Sequence, residues 1–368
     1  VADYRIEVRE IDGTVLEDDL PAEWIEYGPT LNAPGSCTIN CSARLSWSGG
    51  QLDRDLLEPA EREIVVYRDS IAVWGGYFWE AELDDELETV SFHSDGWASR
   101  LDRWFLMNNL HFLDVDQFQI VRDLITYTQT GDIPLSATNA PYTMPLGITF
   151  GTLSNPGPTR KRQWCIGEGS ILELIQDLAQ HHNGFDWDID AAKVLRMWTP
   201  ARSNVSGIHW QYGTDPAATT NIWRFTQKPV VDGRDAATLV AAIPPDEGCN
   251  DPDDWEWVTP LTGQDAFNKG NLMYLLDVGN VRDSDSRQHR AREWLRVHKH
   301  NRMQVAFETP LLPFGNYAVG DSALITADLG WINWVSRDMR IVEWRVRVQG
   351  GHELATVTLD WPLDLTGP

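Results

Sequence analysis

The segment IVVYRDSIAVWGGYFWEAELDDELETVSFHSDGW, Ile64 to Trp97, reads as a run of paired strands with almost no break. Short runs rich in β-branched and aromatic residues, bounded by turn residues, are the mark of strands. Asp69-Ser70 and Asp84-Asp85 interrupt it, so the stretch reads as strands folded back on one another. The same texture precedes it. Tyr4, Ile6 and Val8 alternate with polar residues, and Asp12-Gly13 is a hairpin turn. LNAPGSCTIN, from Leu31, reads as a Pro-Gly turn into a further strand. Residues 1–104 are therefore expected to form an all-β unit, because a sheet with one apolar face must bury it against another layer or against itself.

The texture changes after Trp104. DVDQFQIVRDLITYTQT offers Asp116 as a helix cap, with Phe118, Val121, Leu124 and Ile125 on one apolar face. Residues 131–162 carry several Pro and Gly and read as a long loop or extended excursion, ending in Arg160-Lys161-Arg162. The triplet is read as a solvated turn or a contact with a neighbouring subunit. In GEGSILELIQDLAQHHNG, Ser170 and Glu173 form a capping box, Leu172, Ile175, Leu178 and Ala179 a buried stripe, and Asn183-Gly184 the helix end. FDWDID and KVLRMW read as a hairpin, completing an α/β domain over 105–200. Residues 201–300 alternate short strands with Pro/Gly/Asp loops and end in a helix that starts near Asp285. Residues 301–368 form a closing β unit.

That last unit echoes the first. Leu87–Phe92 and Leu354–Leu359 share a strand pattern, and each is followed by Asp and Trp: Asp95 and Trp97, then Asp360 and Trp361. Two similar β units split by an insertion would produce such an echo.

Charge narrows the function. Against 30 Lys plus Arg stand 55 Asp plus Glu, a formal net charge of -25, so a broad positive face for duplex DNA is not expected. An acidic surface repels phosphate. The charge is also uneven. Residues 1–100 hold 22 acidic and 7 basic side chains, and residues 281–350 hold 8 and 11, so the two ends can attract across a subunit boundary. No apolar run approaches the roughly 20 residues of a membrane helix, and the opening VADYRIEVRE has no signal-peptide pattern.

No nucleophile elbow, P-loop, H-E-x-x-H or dinucleotide fingerprint is present. His181-His182 point about 100° apart on a helix, and His298 and His300 sit at another helix end, where cationic groups are ordinary. Asp186, Asp188 and Asp190 share a strand face that could hold a cation or serve a glycosidase; the commoner use is a solvated face. Cys37 and Cys41 lie four residues apart on a strand, about 13 Å and too far for a disulfide. With Cys165 and Cys249 they are expected as free thiols; a four-cysteine metal or iron–sulfur site is the competing reading. The 18 tryptophans, among them Trp74, Trp79, Trp344 and Trp361, alternate with polar residues as core and interface residues do, more than as a sugar platform. No catalytic, cofactor-binding or metal-binding residue is assigned, and no enzyme activity is expected.

VYRDSIAVWGGYFWEAE resembles the strand–turn–strand of minor tail proteins from long-tailed phages of actinobacteria, in which a "vyrdG" turn leads to an apolar "vWgG" strand. LNAPGSCTIN resembles their "lnapGs" segment, and SILELIQDLAQHHNGFDWDID and the ending VGDSALI…RIVEWRVRV…LATVTLDWP extend the likeness in order along most of the chain. Ser70 stands where that turn usually carries Gly. The resemblance implies a tail hub, or baseplate hub, of the virion tail tip, made in the host cytoplasm. It implies a mainly β chain with α+β insertions, in which two tail-tube-like β-barrels, 1–104 and 301–368, flank the mixed domains 105–200 and 201–300. Such hubs are homotrimers whose six barrels adapt a sixfold tube to a threefold tip. The implied partners are a distal tail ring protein, a tape measure protein and other minor tail or tail-tip proteins. Viral DNA would pass through without specific binding, and no stable membrane insertion is implied. On this reading Glu80, Glu82 and Asp84 border the channel, while Arg345 and Arg347 point away from it or are paired with acids. The competing readings are the distal tail ring protein itself, a receptor- or carbohydrate-binding minor tail protein, and a cell-wall hydrolase.

Overall fold

A computed structural model describes residues 2–42, 58–84, 86–131, 143–152, 157–180, 184–199, 205–213, 221–229, 239–243, 256–258, 273–277, 284–298, 303–328 and 333–360. The chain is mainly β, as expected. The first unit contains β1 (Tyr4–Glu10), β2 (Val15–Glu17), β3 (Ala22–Thr30), β4 (Ala33–Ser42), β5 (Arg62–Arg68), β6 (Ile71–Asp84) and β7 (Thr89–Gly96), closed by a 3-10 helix, Trp97–Arg103. The middle region holds β8 (Leu110–Asp116), α1 (Gln117–Thr130), β9 (Thr149–Phe150), β10 (Thr159–Trp164), α2 (Ile171–Gln180), β11 (Asp186–Ile189) and β12 (Val194–Trp198). Then follow β13 (Val205–Tyr212), β14 (Arg224–Pro229), β15 (Leu239–Ile243), β16 (Glu256–Val258), β17 (Met273–Asp277) and α3 (Ser284–Val297). The last strands are β18 (Met303–Thr309), β19 (Ser322–Asp328), β20 (Asn333–Gln349) and β21 (His352–Asp360).

The expected helices form for the expected reasons. The Asp116 carboxylate accepts from the backbone N–H of Phe118 at 2.7 Å, and Phe118, Val121, Leu124 and Ile125 are all buried. Ser170 and Glu173 exchange hydrogen bonds, Glu173 N–H to Ser170 Oγ at 3.1 Å and Ser170 N–H to a Glu173 oxygen at 2.8 Å. Two local readings shift. The turn in LNAPGS is made by Leu31-Asn32, with Asn32 at φ 58°, and Pro34-Gly35 already belong to β4. Asn tolerates the left-handed region, and Pro at a strand start lacks only an N–H that the ladder does not need there. Arg160-Lys161-Arg162 lie in β10, paired antiparallel with β8, and not in a loop. The Asp69-Ser70 turn has positive φ at both residues, 48° and 67°, so Ser70 adopts what Gly would adopt without strain.

One sheet of 13 strands joins the two ends of the chain, in the order β14-β18-β21-β20-β3-β4-β7-β6-β5-β1-β2, with β13 and β19 branching from β20. Among the described residues this path is open, and closure of either end unit into a complete barrel by strand pairing is not seen. Each half curls instead. In the first, the Leu20 N–H donates to the Ile6 carbonyl at 2.9 Å, carrying the chain across from β1 towards β3. The curled inner faces share one apolar core, from Ile6, Ile25, Tyr27 and Phe92 to Phe307, Val346 and Val357. A second core forms where α1, α2 and the β11–β12 hairpin pack on Val65, Tyr77 and Trp97, on the other side of the first unit's sheet.

The strand order also shows an internal repeat. β3-β4-β7-β6-β5-β1 in the first unit matches β14-β18-β21-β20-β19-β13 in the second. Only the last pairing differs, antiparallel for β1–β5 and parallel for β13–β19. Both long strands carry a bulge at the matching place, at Trp79 in β6 and Val342 in β20. This aligns Tyr77 with Arg340 and Asp95 with Asp360, which face them on the return strands. Phe92 then corresponds to Val357, so the string echo Leu87–Phe92/Leu354–Leu359 is displaced by two residues from the structural repeat. A displacement of two keeps every side chain on its face, which is why alternation alone does not reveal it.

The halves meet where β3 pairs antiparallel with β20, Tyr27 opposite Val346 and Trp24 opposite Gln349. Backbone approach is close here: a β-carbon on Gly28 would lie 1.7 Å from the Trp344 carbonyl oxygen. Gly28→Ala must therefore push the two strands apart. It is expected to cost about 3 kcal/mol, read as a lowered urea midpoint at unchanged slope. A loss below about 1 kcal/mol would mean that the strands part freely at this point.

Candidate functional site

The inner side of the joined sheet is apolar, and its outer side is polar where α1, α2 and the β11–β12 hairpin do not cover it. Along β4 the buried Cys37, Ile39 and Cys41 alternate with half-buried Ser36, Thr38, Asn40 and Ser42. On β7, buried Val90 and Phe92 alternate with Ser91 and His93. On β21, buried Ala355 and Val357 alternate with Thr356 and Thr358. Between them β20 presents Glu343, Arg345 and Arg347, and β3 presents Trp24 and Glu26. At the far end β6 presents exposed Glu80, Glu82 and Asp84. Short hydroxyl and amide groups thus flank the charged strands β20 and β3, and Asn40 Nδ2 donates to Ser91 Oγ at 3.0 Å.

The guanidinium groups on this face all have partners. Arg345 donates to Glu343 at 2.7 Å and lies 3.8 Å from Glu26 across the β3–β20 joint. Arg347 sits over the Trp24 ring, 5.0 Å from its centroid, and donates to Gln349 at 3.3 Å. Arg224, on the outermost strand, lies 3.7 Å from Glu308. Arg345 is thus paired with acids, Arg347 with an indole and an amide, while Glu80 and Asp84 stand exposed and Glu82 comes no closer than 3.8 Å to His93. The face is polar with an acidic flank, and cations on it are neutralised where they occur.

A half-buried network ties the two halves together beside the joint. Glu353, at the start of β21, accepts from Arg68 of β5 at 2.8 and 3.2 Å and from the Tyr4 hydroxyl of β1 at 2.6 Å. The Tyr4 and Tyr27 hydroxyls are 3.2 Å apart. The Arg68 guanidinium, aided by the Tyr4 hydroxyl, holds the Glu353 carboxyl below its ordinary range, although burial opposes it. Burial, with the acceptor Glu353 beside it, pushes Tyr4 up.

The residues weighed as chemical candidates have structural employment. Asp186 and Asp188 are buried, so their strand face is not the solvated one expected. Asp188 takes both Arg196 nitrogens at 2.8 and 2.9 Å, Asp190 caps the turn by accepting from the N–H groups of Ala192 and Val194, and Asp186 pairs with Arg340 of β20. Arg340 also faces Asp360, and burial lowers its pKa to about 10. This pair is what sequence reading missed, because its members are far apart in the chain. A cleft of about 360 Å³ between β3–β4, β6 and β11–β12 is lined by Trp74, Trp97, Trp344 and three charged residues, Asp188, Asp190 and Arg196, which are spent on one another.

Cys37 and Cys41 are free and buried and Cys165 is free and exposed; Cys249 lies outside the described residues. Burial raises the Cys37 and Cys41 thiols, the latter to about 12, so both stay protonated and inert. His298 stacks on Trp294 and hydrogen-bonds its carbonyl, while His181, His182 and His300 lie outside the described residues. Among the described residues no three His, Cys, Asp or Glu side chains come together as metal ligands, and no helix is long and apolar enough to cross a membrane. Trp74, Trp97, Trp187, Trp210 and Trp344 are core residues, Trp79 is half-buried and donates to Ser99, and Trp361 lies outside the described residues.

No protein-family model matches the chain, and no curated protein matches it in sequence. Solved structures do match. The 43 kDa tail protein of prophage MuSo2 from Shewanella oneidensis superposes with a TM-score of 0.67 at 12% identity, covering 98% of this chain and 99% of that one. A tail protein from Neisseria meningitidis MC58 does so with a TM-score of 0.67 at 12% identity, over 99% and 98%. The E. coli protein c3393, a type VI secretion component described as similar to the T4 bacteriophage tail proteins gp27 and gp5, superposes at 0.50 with 11% identity, over 99% and 78%. The chain therefore has, from end to end, the fold of phage tail proteins.

The Glu353 network generates a pH signature. A carboxyl with a depressed folded pKa contributes stability that is present above its unfolded value, about 4.3, and lost as pH falls through the folded value. Glu353→Gln should cost about 2 kcal/mol at pH 7. The gap between variant and wild type should close as pH falls below about 4. Urea melts from pH 2 to 7 check this; a gap that is constant with pH would mean that Glu353 is not ionised in the fold.

Proposed function

We propose that this chain is a structural subunit of a phage tail tip, the hub that adapts a sixfold tail tube to a threefold end, and that three copies surround a passage for DNA. The observation that carries the reading is the repeat: two units that share a six-strand order, one of β1 and β3 to β7, the other of β13, β14 and β18 to β21, fused through β3 and β20 in one chain. Three such chains supply six equivalent units. The full-length likeness to tail proteins, and to a secretion protein described as similar to gp27 and gp5, supports the same role. A distal tail ring built of six chains needs one tube-like unit per chain, so the repeat favours the hub over the ring. The ring protein, the tape measure protein and other tail-tip proteins are the partners this role requires, and the role itself is mechanical and not enzymatic.

The polar outer face suits the wall of the passage. Hydroxyl and amide groups beside arginines that already have partners offer phosphate no bare guanidinium, and flanking carboxylates repel it. DNA then slides without specific binding.

In tails imaged by electron microscopy, three copies should lie beneath a sixfold ring; six copies, or one, would remove the hub assignment. Particles carrying Thr38→Arg with Ser91→Arg should assemble and eject DNA several-fold more slowly in a triggered-release assay, and more so at low ionic strength. Ejection at the wild-type rate would mean that this face does not border the passage.

A further inference from the structure

We propose that the open edge of β6, Glu80 to Asp84, pairs antiparallel with the outer edge of β14, Arg224 to Pro229, of a second copy of this chain. The copies then join head to tail. The number of copies that close the ring rests on the hub reading; the contact itself rests on the repeat.

Beyond its bulge, β20 uses both edges: residues 343–349 pair with β21 on one side and β3 on the other. Beyond its own bulge, and among the described residues, β6 pairs with β7 on one side only, because the β5 pairing reaches no further than Tyr77. The consequence is visible in one side chain. Val346 and Leu83 are equivalent in the repeat and both point to the apolar side of the sheet. Val346, covered by Tyr27 of β3, is 0% exposed; Leu83 is 65% exposed. Leu83 is in the state Val346 would have if β3 were taken away. The strand that should cover it is the counterpart of β3, which is β14. That strand pairs with β18 on one edge, and among the described residues its other edge has no strand partner. Trp223, beside β14, is 64% exposed, and Leu87, beside β6, is 73% exposed. Both edges thus carry uncovered apolar groups, as the two sides of an unmade joint would.

Charge complements the geometry with its sign reversed. In the internal joint the arginines, Arg345 and Arg347, are on the long strand, and the carboxylate, Glu26, is on β3. In the proposed joint the long strand carries Glu80, Glu82 and Asp84, and β14 carries Arg224 and Lys228. Carrying the register of the internal joint across the repeat sets Leu83 level with Gln227 and Glu82 level with Lys228. The reversal also selects the order of units. β6 against another β3 would set carboxylates beside Glu26, and β20 against β14 would set arginines beside Arg224 and Lys228, so only alternation of first and second units avoids like charges. A contact between two different patches of the same chain generates rings when its rotation closes. Before assembly, the carboxylates along β6 keep an open strand edge from pairing indiscriminately.

Wild-type tails treated with a carbodiimide, which joins carboxylates to amines in direct contact, should yield a linked peptide pair between Lys228 and a carboxylate of Glu80–Glu88, read by mass spectrometry. Tails carrying Leu83→Cys with Gln227→Cys, in a background lacking Cys165 and Cys249, should give on oxidation covalent species of two and three chains and none larger. Tails that contain three copies by imaging but show neither the Lys228 link nor the disulfide would overturn the pairing and leave the hub reading standing. Disulfide ladders running to six chains would uphold the contact and overturn the hub reading.

Discussion

The antiparallel pairing of β3 with β20 is the interaction on which the molecule is organised. It turns two six-strand units into one sheet, aligns their polar faces into a single surface and merges their apolar faces into a single core. Its tightness comes from backbone. Gly28 has no side chain, so the Trp344 carbonyl can enter the space a β-carbon would take. Side chains then reinforce it on both sides: Arg345 and Arg347 meet Glu26 and Trp24 on the polar side, and Tyr4, Tyr27, Arg68 and Glu353 close the other. A pairing so anchored is costly to shift by even one residue, because a one-residue slip would exchange the two faces.

Much of this was legible in the residues, and the limits have physical causes. Short-range chemistry declared itself. Asp116 and the Ser170/Glu173 box cap helices through groups three residues apart, and the alternation of Tyr4, Ile6 and Val8 names the buried face of β1. The echo between the chain ends pointed to a repeat, and Asp95 and Asp360 are indeed counterparts. Its register was not legible, since period two is unchanged by a shift of two. Where several turns were possible the choice depended on context: Asn32 accepts from Trp187 N–H at 2.7 Å and is held in place by the middle domain, which Pro34-Gly35 could not reveal. The basic triplet at 160–162 was misplaced in a loop because its partner strand, β8, precedes it by almost 50 residues.

The aspartates at 186, 188 and 190 make the same point about sites. Three carboxylates in alternation look like a ligand set as long as their surroundings are unknown. In the fold each meets an assigned partner, and Asp186 meets one that arrives from the second unit. Pairing with Arg340 neutralises a charge whose burial alone would be costly, and it binds the middle domain to the strand that carries the joint. The cleft between these elements is a by-product of their meeting.

The distance along the chain between β3 and β20 sets the order of events during synthesis. The first unit can fold as soon as β7 has left the ribosome, yet the strand that completes it is translated about 250 residues later, at about 5–20 residues per second. For roughly 12 to 50 seconds the nascent chain holds a folded sheet whose β3 edge is still raw. Glu23 and Glu26 on β3 are the only charges that guard it in that interval. A polysome of such chains places many of these edges side by side, and the time each spends uncovered is fixed by the length of the domains inserted between them.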